Sequence, residues 1–261
     1  MVDEVAAHGK AAQLGFSTTI PFLPVRLMLT RKQKFIAISA AVALVVVLTS
    51  GGLYRVHQKR VQHATVSASV LEAGAHLRAA LGAEPGKPET ADEPAAAKVM
   101  ESLKALDARD EAVAKSHAAL RAQSGALPRD TVDAADHYLI GAREILRLYA
   151  ASRRHRHLTV VGLRELWEHM GSRYTQGPGW TTEAVRRKDL LEREYFQYRN
   201  TTEAMGRLLD GYPEDRARVV PLLDASPLPD ESLVRAARER LLVEGKKLAV
   251  EMDRLRKLPR S

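Results

Sequence analysis

Val132–Tyr174, VDAADHYLIGAREILRLYAASRRHRHLTVVGLRELWEHMGSRY, places Val132, Ala135, Leu139, Ala142, Leu146, Tyr149, Arg153, Arg156, Val160, Leu163, Trp167, Met170 and Tyr174 at steps alternating three and four. A mean spacing of about 3.5 residues draws one stripe along a helix, the pattern of a helix that packs on another helix. Asp130 or Thr131 offers an N-cap before it, and an unbroken helix here would be about 65 Å long at 1.5 Å per residue.

The same alternation recurs on both sides. Upstream, Val99, Leu103, Leu106, Asp110, Val113, His117 and Leu120 form a stripe on a helix beginning near Ala95, closed by Ser124, Gly125 and Pro128. Downstream, SRYTQGPGW at Ser172–Trp180 reads as a turn. Thr181 or Thr182 caps a helix with the stripe Leu191, Tyr195, Tyr198, Thr202, Met205, Leu209 and Tyr212, which Gly211 and Pro213 are expected to stop. A short helical piece at Glu214–Leu223 precedes ASPLPD, where Asp230 caps a last helix with Val234, Ala237, Leu241, Leu248 and Leu255 on one face. Nearer the N-terminus, residues 55–81 read as a helix with Ala64, Ala68 and Ala75 beside Leu71, ended by the Pro-, Gly- and acid-rich linker at 82–94. The expected fold is all-α, an elongated antiparallel helical bundle or coiled coil over residues 95–258.

Composition agrees with helices. Hydrophobic residues make up 45% but aromatics only 5%, and no run of alternating β-branched and aromatic residues suggests a sheet. There are no cysteines, which excludes disulfides, thiolate catalysis, iron–sulfur clusters and Cys-ligated zinc. The net charge of +8 comes from 40 bases interleaved with 32 acids. With no basic stripe carrying interleaved aromatics, nucleic acid is not an expected partner.

Phe35–Tyr54, FIAISAAVALVVVLTSGGLY, is uncharged over about the 20 residues a helix needs to cross a bilayer. Arg31, Lys32 and Lys34 precede it, so a secretory signal with Ser50-Gly51-Gly52 at its end stays open. A single-pass anchor is favoured by the apolar character through Leu53 and Tyr54 and by the following Arg55, Lys59 and Arg60, which suit an interfacial belt. Residues 1–34 are then a short cytoplasmic tail, expected to be disordered, and the slight excess of bases before the segment places the C-terminal domain outside the cytoplasm, periplasmic in a bacterial source. MLTRKQKFIAIS also has the form of a start, so translation from Met28 and from Met1 both stay open.

Candidate chemistry is sparse. Glu72 and His76, Asp133 and His137, and Glu165 and His169 are acid–histidine pairs at helical i,i+4 spacing, able in principle to share a metal. Di-iron bundles use ExxH on two helices, which does not occur here, so no metal or other cofactor is expected. Asp110 and His117 interrupt an apolar stripe, as a polar pocket for a small ligand or as a register-setting layer. Arg153, Arg154 and Arg156, within RRHRH, offer a contact for an anionic partner, against the plainer reading of a solvated turn. GxSxG, GxxxxGK[ST], HExxH and GxGxxG are all missing, so no enzyme is expected. The expected role is a membrane-anchored extracytoplasmic interaction or assembly protein that binds itself or an envelope partner through helix contacts. The alternative is a ligand-sensing bundle that relays through a partner protein.

Overall fold

The computed structural model describes residues 60–61, 63–83, 93–172, 177, 179–223 and 228–257. The chain divides into two compact units, residues 1–54 and 55–261, and the described residues all lie in the second. The expected tail, the apolar segment at 35–54 and the start at Met28 lie outside them. Among the described residues no helix is long and apolar enough to cross a membrane, and no strand occurs.

Among the described residues of the second unit there are five long helices: α1 (residues 63–82), α2 (Glu93–Gln123), α3 (Arg129–Gly171), α4 (Trp180–Val219) and α5 (Glu231–Arg256). Short 3-10 turns at Ser124–Ala126 and Val220–Leu222 follow α2 and α4. Cross-helix pairs fix the directions. Asp110 meets Arg143 while His117 meets Asp136, so α2 and α3 are antiparallel. Tyr138 meets Tyr212 while His155 meets Glu194, so α3 and α4 are antiparallel. Asp210 meets Arg238 while Glu192 meets Arg256, so α4 and α5 are antiparallel too.

Apolar burial divides along α3. The larger core joins Val66, Val70, Ala73 and Leu77 of α1, Leu103, Leu106 and Val113 of α2, Leu139 and Leu146 of α3, Met205 and Leu209 of α4, and Val234 and Leu241 of α5. A second, smaller core is built by three helices alone: Leu163 and Leu166 of α3, Leu191, Tyr195 and Tyr198 of α4, and Leu248, Met252 and Leu255 of α5. One half of this unit is thus a five-helix bundle and the other a three-helix bundle. The change comes where α1 ends.

The stripes of α2, α4 and α5 lie buried as the spacing predicts, with Asp110 and Thr202 half-buried within them. Three expectations need correction, and α1 shows a buried face that the spacing had left open. On α1 the small residues Ala64, Ala68 and Ala75 are exposed, and the buried face is Val66, Val70, Ala73, Leu77 and Ala80. Gly74 belongs to that face because a Cβ there would collide with the Leu228 side chain.

On α3, Trp167 is 40% exposed whereas Leu166 is 2% exposed. A strict 3.5-residue pattern drifts by about 20° per heptad on a straight helix, so a stripe extrapolated over the heptads from Val132 turns off the core face at Trp167, although Leu163 is still buried. The caps differ by two or three residues. Helix α3 begins at Arg129 after Pro128, and α4 begins at Trp180 after Gly179 rather than after Thr181 or Thr182. Gly179 has φ +109°, a conformation that favours glycine. Asp230 does cap α5, its carboxylate accepting from the Leu233 N–H at 2.8 Å.

The third correction is the end of α4. The helix does not stop at Gly211 and Pro213 but continues through Pro213 to Val219, so Glu214–Val219 belongs to α4. Tyr212 and Val219, flanking the proline, are buried. The Tyr212 hydroxyl donates to the Pro229 carbonyl at 3.3 Å and lies 3.3 Å from that of Tyr138. This burial holds the backbone helical where local preference opposes it. Pro213→Ala restores a backbone donor to a helix already formed and is expected to raise stability by about 1 to 3 kcal/mol, read as a higher urea midpoint; an unchanged or lower midpoint would mean the proline fits without strain.

Candidate functional site

Asp110 and His117 do not share a pocket. The Asp110 carboxylate accepts from Nε of Arg143 and Nε of Arg147, each at 3.0 Å. Two turns on, the His117 ring Nε2 lies 2.5 Å from Asp136 Oδ1. Arg121 grips the same carboxylate with Nε at 2.8 Å and a terminal nitrogen at 3.0 Å. The two residues make separate ionic layers between α2 and α3. The hydrogen bond from Arg121, with those of His117, holds the Asp136 carboxyl at about 2 although burial opposes it.

The three acid–histidine pairs part company. Glu72 and His76 stay 4.0 Å apart, and Glu72 also accepts from the Ser116 hydroxyl of α2 at 2.5 Å. His137 turns from Asp133 to Asp215 of α4, 3.1 Å away. Glu165 meets Arg187 at 3.6 Å, while His169 stacks on Trp180 with ring centroids 5.2 Å apart. The Trp180 indole N–H donates to the His169 carbonyl at 3.1 Å, and His169 Nε2 lies 3.1 Å from the Trp180 carbonyl, clasping the end of α3 to the start of α4. Among the described residues no group of three or more potential ligands gathers to hold a metal.

The basic run lies within unbroken α3 at the step between the two cores. Its members take different roles. Arg153 carries its guanidinium over the Tyr149 ring, 5.5 Å from the centroid. His155 Nδ1 is 2.7 Å from Glu194 of α4, and Arg156 Nε is 3.5 Å from Glu244 of α5. Arg154 faces solvent. Polar groups continue across the step, where the hydroxyls of Ser152 and Thr202 meet at 3.0 Å and the Thr159 hydroxyl donates to the His155 carbonyl. Burial pushes the nearby Tyr198 phenol up to about 12, so it stays protonated at neutral pH.

Arg240 completes the step. It donates to the carbonyls of Leu81 and Ala83, placing a cation where the end of α1 leaves carbonyls without helical donors. A cavity of about 20 Å³ lies there, lined by Tyr149, Ser152, Arg153, Arg156, Arg240 and Glu244 together with apolar Met205, Ala237 and Leu241. A groove of about 520 Å³ along α5 shares Arg240 and Glu244 and adds Lys247 and Val243. This chamber is the candidate site. The sequence showed Arg153 and Arg156 as oddities on an apolar stripe, but Arg240 and Glu244 look like any i,i+4 charged pair, and only the point where α1 stops brings them to α3.

No protein-family model, curated protein or solved structure matches this chain.

Asp136 gives a test of the layers. Its carboxyl titrates near 3.8 when unpaired and near 2 in the fold. The stabilisation is therefore complete above about 4 and is lost as pH falls through about 2. Asp136→Asn is expected to lose about 1 to 2 kcal/mol at pH 7, with the gap to the wild type narrowing as pH falls below about 4 and closing only below about 2 in urea unfolding; a gap independent of pH would remove the ionic pairing as its cause.

Proposed function

We propose that this chain is a single-pass membrane-anchored interaction protein whose helical unit, outside the cytoplasm, docks a helix of another envelope protein or of a second copy. The carrying observation is where large apolar side chains remain in water. Leu158 of α3, Leu190 and Phe196 of α4, and Leu242, Val243 and Val250 of α5 are 42 to 58% exposed, all in the three-helix half or at its border. Fewer remain in the other half, where Val61, Met100 and Ile140 are exposed. A partner helix laid along the three-helix half would cover this surface, with the charged flanks selecting register.

The anchor reading is supported by the uncharged run at 35–54 and by the bases that bracket it. An enzymatic role is not proposed. The alternative, a ligand-sensing bundle that relays through a partner, draws its support from the chamber at the step and not from Asp110 and His117.

A photocrosslinking residue at Phe196 or Val243 of the full chain in native membranes is expected to capture one discrete product, a dimer if the partner is a second copy. The same residue at the exposed Glu111 of α2 is expected to capture none. Phe196→Asp should weaken the Val243 product about tenfold, the effect of losing a partly buried aromatic. Products that are diffuse, or equal at all three positions, would rule the docking surface out.

A further inference from the structure

We infer that the outer face of α5 docks a helix of a different chain, one with apolar residues every seven positions and charges in the order base, acid, base around and between them. The inference rests on the docking reading above and names its partner. Helix α5 repeats every seven residues twice over. Val234, Leu241, Leu248 and Leu255 are buried in the bundle. Ala236, Val243, Val250 and Lys257, each two positions later, are exposed, because two residues turn a helix by about 200°.

Valine is a poor residue for a solvated helix position, since its branched Cβ restricts χ1. At every seventh position it suits the packing of two helices. Around and between the valines stand Glu239, Lys246 and Asp253, also seven apart and exposed. Among the described residues Glu239 and Lys246 take part in no ion pair, and Asp253 meets Arg256 of its own last turn at 3.7 Å. Room flanks the ridge on both sides. A groove of about 520 Å³ runs beside Ala236, Val243 and Lys247, and one of about 310 Å³ lies beside Leu242 between α4 and α5.

The order of charge disfavours a second copy on this face. Two α5 helices packed in parallel set Glu239, Lys246 and Asp253 each against its own kind. Packed antiparallel, the valine and charged positions face one another, so that Val243 meets Lys246 and Val250 meets Glu239. A charge that loses water to an apolar neighbour is costly. A helix reading base, acid, base at seven-residue spacing instead pairs with all three charges of α5. That order is the same from either end, so it serves a parallel or an antiparallel partner.

The test begins with the full chain in native membranes carrying the photocrosslinking residue at Val243. The product is expected to hold one copy of this chain, and Lys246→Glu should weaken it about fivefold. A product of two copies keeps the docking reading and overturns this partner, whereas the absence of any discrete product overturns both. A second arm follows the fluorescence anisotropy of two labelled synthetic helical peptides added to the full chain in neutral detergent. Both carry valine every seven residues, one with the charge order base, acid, base and the other with acid, base, acid. The first is expected to bind about tenfold tighter. Glu239→Lys, Lys246→Glu and Asp253→Lys together should reverse the preference, an exchange that loss of folding would not produce. Equal binding of the two peptides, or a preference that the triple substitution leaves as it was, overturns the inference.

Discussion

Helix α3 has to be buried along its whole length by neighbours that change halfway. A 43-residue helix with few strong helix formers in its centre, where Ser152, His155, His157 and Thr159 crowd together, draws most of its stability from packing and little from propensity. Over its first half α1, α2, α4 and α5 together enclose it. Over its second half, among the described residues, α4 and α5 do. The transition cannot be apolar throughout, since the end of α1 brings carbonyls that need donors and opens the side of α3 to water. Arg240 answers the first requirement, and Arg153, Arg156 and Glu244 occupy the second. The polar step follows from one helix being shorter than its neighbours.

The same inequality accounts for the exposed apolar side chains. In the five-helix half Leu103, Leu106 and Val113 of α2 find partners in the larger core, while Val61, Met100 and Ile140 stay exposed. In the three-helix half each helix has only two neighbours, and positions such as Phe196 and Val250 on the outer flanks are left without cover. Scattered exposed apolar residues are ordinary on protein surfaces. Their concentration on the less enclosed half is what gives them weight here.

The fold was legible wherever a helix kept one partner arrangement from end to end. The stripes of α2, α4 and α5 could be written down from spacing alone, because a heptad pattern registers burial directly. Reading failed where neighbours changed or tertiary contacts overrode local preference. Trp167 was misplaced because a pattern set in the five-helix half was carried into the three-helix half. The stop at Pro213 was misread because Tyr212, pinned by Tyr138 and Pro229, holds the helix through it. For α1 the reading named a helix but no packing face, and Val66 and Val70 supply it. Of the candidate site, Arg153 and Arg156 stood out against their stripe. Arg240 and Glu244 were invisible, since their meaning depends on the length of α1.

The ionic layers between α2 and α3 answer a problem that the apolar stripes create. A stripe repeating every seven residues packs nearly as well after a slip of one heptad, so burial alone does not choose the register. In the native register the antiparallel pairs are Asp110 with Arg143 and His117 with Asp136. The order of charge is acid then base along α2, and the matching positions on α3 are base and acid. Slipping one heptad in one direction sets Asp110 against Asp136; slipping in the other sets His117 against Arg143. Each error juxtaposes like-charged or cationic partners and strands a half-buried group that was paired, at a cost comparable to several apolar contacts. Polar residues on an apolar stripe thus weaken the packing slightly while making one alignment of α2 on α3 better than its neighbours. That alignment also fixes how far α2 reaches along α3, and with it which part of the long helix is left for the step.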